Sequence, residues 1–181
     1  MMTNPTAGRS FLAPIAAVAL ASCASAPKEP VREQLDPDTA TTVTVLTQPV
    51  ELLAEASRGT DPFAYLAPFE TDRMGERSLF LWVAAPESAG TKLQPQLLCD
   101  GQPVGLQPLD GSLSSLQLST PPYTSPAPWS SQWYFRLPPD ALHCLATSHE
   151  VALEAPAPTG EPERFVAAPK ALASIEAFTR R

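Results

Sequence analysis

Phe63-Ala-Tyr-Leu-Ala-Pro-Phe-Glu-Thr-Asp72, Arg73-Met-Gly-Glu76 and Arg77-Ser-Leu-Phe-Leu-Trp-Val-Ala84 read as a β-hairpin, two apolar runs of strand length joined by a short glycine-bearing turn. In the second run, Leu79, Leu81 and Val83 fall on one face and Phe80 and Trp82 on the other. A strand apolar on both faces is central in its sheet or serves a partner surface. Phe63, Tyr65 and Phe69 are expected in the core rather than on a contact surface.

Working outward, the same pattern of short strands and turns fills the chain from Thr42 on. Val43 and Val45 alternate with Thr42, Thr44 and Thr47, a β-branched strand. Two Asp-Gly pairs, Asp100-Gly101 and Asp110-Gly111, separate short runs over residues 97–118 and suggest a three-stranded meander, since Asp-Gly tolerates the positive φ of a two-residue hairpin turn. Pro95, Pro103 and Pro108 confine those runs to edges or bulges. After a long Pro-rich loop over 119–131, Trp133, Phe135 and Leu137 alternate with Gln132, Tyr134 and Arg136 as a strand. Pro138-Pro139-Asp140 opens a short helix to about Thr147. Strands follow at 150–154 and 164–167, then a terminal helix from Pro169 with Leu172, Ile175 and Phe178 on one side. This spacing predicts an all-β fold over residues 42–181: a two-sheet β-sandwich, immunoglobulin-like in arrangement, with one short internal helix and a short C-terminal helix. The Cys–Trp–Cys order of antibody domains is absent, because Trp82 precedes both Cys99 and Cys144.

Composition narrows the function classes. The 181 residues carry a net charge of −7, against the basic footprint that neutralising nucleic-acid phosphates requires. Twenty-two prolines exclude a long-helix or coiled-coil protein, since proline breaks helix interiors. An apolar content of 44% is too high for a wholly disordered chain.

The N-terminus carries an address. Arg9 is the one charge in Met1–Ser10, and Phe11–Ser22 is an uncharged apolar stretch. That stretch is too short for a bilayer span, which takes about 20 residues, and fits the apolar region of a secretory signal. It ends in Leu20-Ala21-Ser22-Cys23, which resembles the lipobox of bacterial lipoproteins. The resemblance covers residues 1–23. It implies a signal peptide over 1–22, cleavage before Cys23, and lipidation of Cys23 by diacylglycerol and an added acyl chain such as palmitate. Two or more chains hold a protein to a membrane stably. Ala24 follows the cysteine, where an aspartate tends to retain proteobacterial lipoproteins at the inner membrane, so the resemblance implies an outer-membrane anchor facing the periplasm. Residues 24–41, rich in proline and mixed charge, are expected to be a disordered tether that lifts the domain off the lipid.

With Cys23 lipidated, Cys99 and Cys144 remain. In an oxidising envelope an even pair reads as a disulfide. It would close a loop of about 46 residues, worth roughly 4 kcal/mol. A metal site from Cys99, His143, Cys144 and His149 is not expected, because the adjacent His143 and Cys144 do not easily converge on one ion. No Gly-x-Ser-x-Gly elbow accompanies either histidine, the glycines do not form a phosphate loop, and Glu70, Asp72 and Glu76 lack the spacing of a calcium loop. Neither catalytic residues nor a cofactor are expected. Tyr123 and Trp129, in or beside the Pro-rich loop, are the candidate partner contacts, with folding back over the core as the other reading of these rings. The expected role is a non-catalytic binding or assembly module that meets an envelope protein. A structural subunit of an envelope machine, a carbohydrate-binding module and a hydrolase stand as alternatives.

Overall fold

The structure, a computed structural model, describes residues 29–55, 63–86, 94–126, 128, 130–156 and 161–181. The strands are β1 (Val31–Asp36), β2 (Thr41–Leu46), β3 (Val50–Ala54), β4 (Phe63–Arg73), β5 (Glu76–Pro86), β6 (Gln96–Cys99), β7 (Gln102–Pro103), β8 (Gln107–Pro108), β9 (Ser130–Arg136), β10 (Val151–Ala155) and β11 (Glu163–Ala167). Two helices, α1 (Pro139–Thr147) and α2 (Pro169–Thr179), start on prolines as the sequence predicts.

The fold is mostly β, but the strands form one hydrogen-bonded antiparallel sheet curled into a half-barrel, where two separate sheets were expected. Its main path runs β7-β6-β10-β11-β3-β4-β5-β9-β8. The reason lies in β4. Its first half pairs with β3 (Val50 opposite Leu66) and its second half with β2 (Val45 opposite Phe69), so β2 and β3 act as one strand broken at Thr47–Pro49. Beyond the break the sheet forks. β11 continues it outside β3, and β1 continues it outside β2.

The β4–β5 hairpin forms as the sequence predicts. Met74 (φ 56°) and Gly75 (φ 89°) take the two positive-φ positions of the turn, and the Gly75 N–H donates to Asp72 Oδ1 at 3.0 Å. β5 is flanked by β4 and β9, and Phe80 through Ala85 are all buried. Register explains how both faces are covered. Val45, Phe69 and Phe80 stand side by side on one face, over which Tyr123 packs against Phe69 and Trp82. Leu79, on the other face, shares a recess with Leu142 of α1 and Phe178 of α2. Each fully buried Leu or Phe contributes about 1.5–3 kcal/mol, whereas an exposed ion pair such as Arg77–Glu70 contributes about 0–1 kcal/mol, so this two-sided core dominates stability. Trp82 satisfies its indole by donating Nε1–H to Gln132 Oε1 at 2.8 Å.

Two expectations are corrected. Residues 31–36, placed in the disordered tether, form edge strand β1 against β2. An edge strand needs little apolar surface of its own, since the neighbouring ladder supplies its backbone bonds. The chain is already tied down just before it: the Thr47 N–H donates to the Pro30 carbonyl at 2.8 Å, and Thr47 Oγ1–H to that of Glu29 at 2.5 Å. The three-stranded meander also fails. Its first Asp-Gly hairpin forms, with Asp100 at φ 47° and Gly101 at φ 75°. At the second, Asp110 Oδ1 instead accepts the Ser112 N–H (3.0 Å) and Oγ–H (2.8 Å). Ser112 then caps a 3₁₀ turn over Leu113–Leu116, and β8 leaves to pair with β9.

Asp36 locks the end of β1. Its carboxylate accepts the Ser119 Oγ–H at 2.7 Å and the Ser119 N–H at 2.6 Å, and further bonds from the Asp38 and Thr39 N–H groups. The Ser119 hydroxyl bond, then its backbone bond, bring the pKa from 3.8 down to about 2. A depressed carboxylate pKa stabilises the fold above the unfolded value, and that contribution is lost as pH falls from 3.8 through about 2. Asp36→Asn should therefore lower stability at neutral pH and narrow the gap from wild type below pH 4, read as the urea midpoint against pH.

Candidate functional site

The sequence-derived candidates fall in different places. Cys23 and Trp129 lie outside the described residues. Tyr123 does not stand on the surface as a partner contact: it is 6% exposed, with its ring against Phe69 and Trp82. Its hydroxyl accepts the Leu46 N–H at 2.8 Å and donates to the Pro68 carbonyl at 3.0 Å. The oxygen thus sits inside the β2–β4 ladder where β2 breaks, relaying a bond between two backbone groups. Burial pushes the phenol pKa well above its ordinary value.

Cys99, at the end of β6, and Cys144, in α1, carry no S–S bond in this structure. Topology nevertheless brings them together. Cys99 pairs in register with Val151 of β10, and Asp100 Oδ1 accepts the N–H groups of His149 (3.0 Å) and Glu150 (2.9 Å), fixing the α1–β10 connection against the β6–β7 hairpin. The two cysteine side chains lie 2.6 Å apart. Burial, then a hydrogen bond with Cys144, raises the Cys99 thiol to about 12. Cys144 is half-buried, with Ser148 Oγ 3.5 Å from its sulfur. His143 and His149 are exposed, and among the described residues no three His, Cys, Asp or Glu side chains gather to hold a metal ion.

A cleft that sequence reasoning missed opens where β5 outruns β9. The ladder reaches Phe80 opposite Arg136, the Leu137 N–H still donates to the Leu79 carbonyl at 2.9 Å, and Pro138, lacking an N–H, ends it and turns the chain into α1. The space left beside β5 is about 370 Å³, lined by Glu70, Arg77, Leu79, Gln107, Arg136 and Pro138 among others. A second recess of about 330 Å³ shares Glu70, Arg77 and Leu79 with it and is walled by Leu142 and Phe178.

The arginines of this cleft differ in their commitments. Arg77 is held by Asp72 at 3.2 Å and Glu70 at 3.8 Å. Arg181, at the far side of the second recess, pairs with Glu33. Arg136 is exposed, has no carboxylate partner among the described residues, and lies over the Phe80 ring with its guanidinium carbon 5.4 Å from the centroid. Its guanidinium is a bidentate donor in a cleft whose walls mix Leu137, Pro138 and Pro139 with Glu70 and Arg77. The one sequence signal was its place at the end of an alternating strand. Arg77 and Arg136 are far apart in the chain, and no local motif joins them. A recess of about 400 Å³ at the fork of the sheet, lined by Gln48, Pro49, Glu51 and Lys170 among others, mixes both signs of charge.

Compared with known proteins, no family model, curated protein or solved structure matches this chain.

Proposed function

We propose that this chain is a lipoprotein anchored through Cys23 in the outer membrane, and that its periplasmic β-domain acts by binding or assembly rather than catalysis. The observation that carries the reading is Leu20-Ala21-Ser22-Cys23 placed directly ahead of a folded β-domain. The polar side chains that the fold collects serve architecture: Asp36 closes a turn, Tyr123 bridges a ladder and Trp82 is satisfied by Gln132. Among the described residues no helix is long and apolar enough to cross a membrane, and a lipid would supply the attachment. In architecture we read the half-barrel as a sandwich joined along one side. A structural subunit of an envelope machine would be favoured by an uncovered Phe80/Trp82 face, but both side chains are buried. In this compartment Cys99 and Cys144 are expected to be oxidised to a disulfide.

Cys23→Ala should abolish incorporation of labelled palmitate, leave the chain uncleaved and shift it out of the outer-membrane fraction. Labelling that persists in this variant would refute the anchor. Crosslinking in intact cells should then capture an envelope protein with the wild-type chain.

A further inference from the structure

We propose that the open face of the sheet at β3 and β11 docks a basic amphipathic helix of a partner protein. The helix would lay its apolar stripe on Leu53, Val166 and Phe63 and its Lys or Arg side chains on the carboxylates to either side. This deepens the binding reading and rests on it, and it is independent of the anchor at Cys23.

Register places the surface. Phe63 of β4 stands opposite Leu53 of β3, Leu53 opposite Val166 of β11, Val166 opposite Ala152 of β10, and Ala152 opposite Leu98 of β6. Directly paired residues share a face, so these apolar side chains form one row across the strands. Their chain neighbours Ala64, Leu52, Phe165, Leu153 and Leu97 point the other way and fill the core, to which no member of the row belongs. Tyr123 covers this same face farther along β4, at Phe69. Leu98 and Ala152 are buried, but Leu53 is 50% exposed and Phe63 and Val166 are half-buried. The open part spans three neighbouring strands, about 10 Å, which matches two turns of a helix. Charge selects the occupant. Glu51 and Glu55 stand two positions either side of Leu53, and Glu150 and Glu154 two positions either side of Ala152. Arg164 is the cation among them, shared between Glu55 at 3.2 Å, Glu150 at 2.5 Å and Glu154 at 3.9 Å. Even with Lys170, which lines a neighbouring recess beside Glu51, these four carboxylates face two cations. An open apolar patch with a charged rim is the anatomy of a docking surface. A second copy would set like charge against like, as would an anionic lipid surface. An apolar stripe flanked by Lys or Arg complements both parts of the patch.

The test titrates the purified full chain with a labelled Leu-Lys peptide of about 14 residues, long enough for marginal helicity, whose leucines form one stripe at helical spacing. Anisotropy gives the affinity, and the backbone amides of Leu53 and Val166 map the site. The peptide should bind saturably, shift both amides and weaken as salt rises. A Leu-Glu peptide of the same pattern should bind at least about tenfold more weakly, because like charges then meet across the rim. Leu53→Ser changes an exposed position and should weaken the Leu-Lys peptide about three- to tenfold, the loss of half a leucine's burial. Glu51→Gln combined with Glu55→Gln should weaken it about twofold or more. Equal binding of the Leu-Glu peptide, or unchanged affinity in Leu53→Ser, would overturn the proposal. So would a wild-type dimer that Leu53→Ser dissociates, which gives the face to a second copy. Should Leu53→Ser lose its thermal transition, the two peptides and the amide map on the wild-type chain decide alone. In intact cells, an envelope protein crosslinked equally by wild type and Leu53→Ser would overturn this surface and leave the binding reading standing. Capture by neither would sink that reading and this surface with it.

Discussion

Tyr123→Phe should destabilise the domain by about 1–3 kcal/mol, although it removes one oxygen and almost no apolar area. The Leu46 N–H and the Pro68 carbonyl both lose their partner in a site too buried for solvent to replace it. Tyr123→Ala should cost about 3–5 kcal/mol, the range for removing a large buried aromatic, because Phe69 and Trp82 lose a ring as well. Urea denaturation measures both. A Tyr123→Phe midpoint equal to wild type would show that the hydroxyl is not needed to bridge the broken ladder. The alanine variant is therefore a folding variant, and a lost partner interaction in it says nothing about a contact surface.

Oxidation of Cys99 and Cys144 should raise stability by about 4 kcal/mol, since it removes the freedom of a loop of about 46 residues from the unfolded chain. The urea midpoint should fall on adding reductant, and Cys144→Ser should abolish that dependence. A midpoint indifferent to reductant, with two titratable thiols in the oxidised preparation, would rule the bond out. The alkaline limb offers a second reading. In the reduced domain Cys99 keeps its proton to about pH 12 while the unfolded thiol loses it near 9. The folded state then binds more protons than the unfolded state, so stability falls as pH rises from 9 toward 12. The oxidised domain lacks this thiol contribution. Its alkaline loss comes from buried phenols such as Tyr123 and begins later, above the ordinary phenol value of 10.0. At neutral pH the buried Cys99 thiol is a poor nucleophile, so the half-buried Cys144 is the thiol expected to initiate exchange.

Local chemistry made much of the fold legible. Arg73-Met74-Gly75-Glu76 and Asp100-Gly101 announce their hairpins because the turns need positive φ, and Pro139 and Pro169 mark helix starts because nothing is lost there by lacking an N–H. Partnership was less legible. β1 reads as polar tether because Arg32, Glu33 and Gln34 carry no apolar signal, and its order comes from β2. Asp110-Gly111 reads as a hairpin until the Ser112 side chain takes the aspartate. One sheet rather than two depends on where β2 breaks along β4, a matter of register that composition does not encode. The cleft was illegible for the same reason: Arg77 and Arg136 become neighbours through the β5–β9 pairing alone.

The clasp of Thr47 on Glu29 and Pro30 sets how far this domain can wander. If Cys23 is held in lipid, residues 24–28 can separate Glu29 from it by no more than about 20 Å. The body would then ride close above the headgroups with little clearance, and a binding partner would have to come to the bilayer surface to be met. A long flexible spacer inserted after Ala24 should relax that requirement.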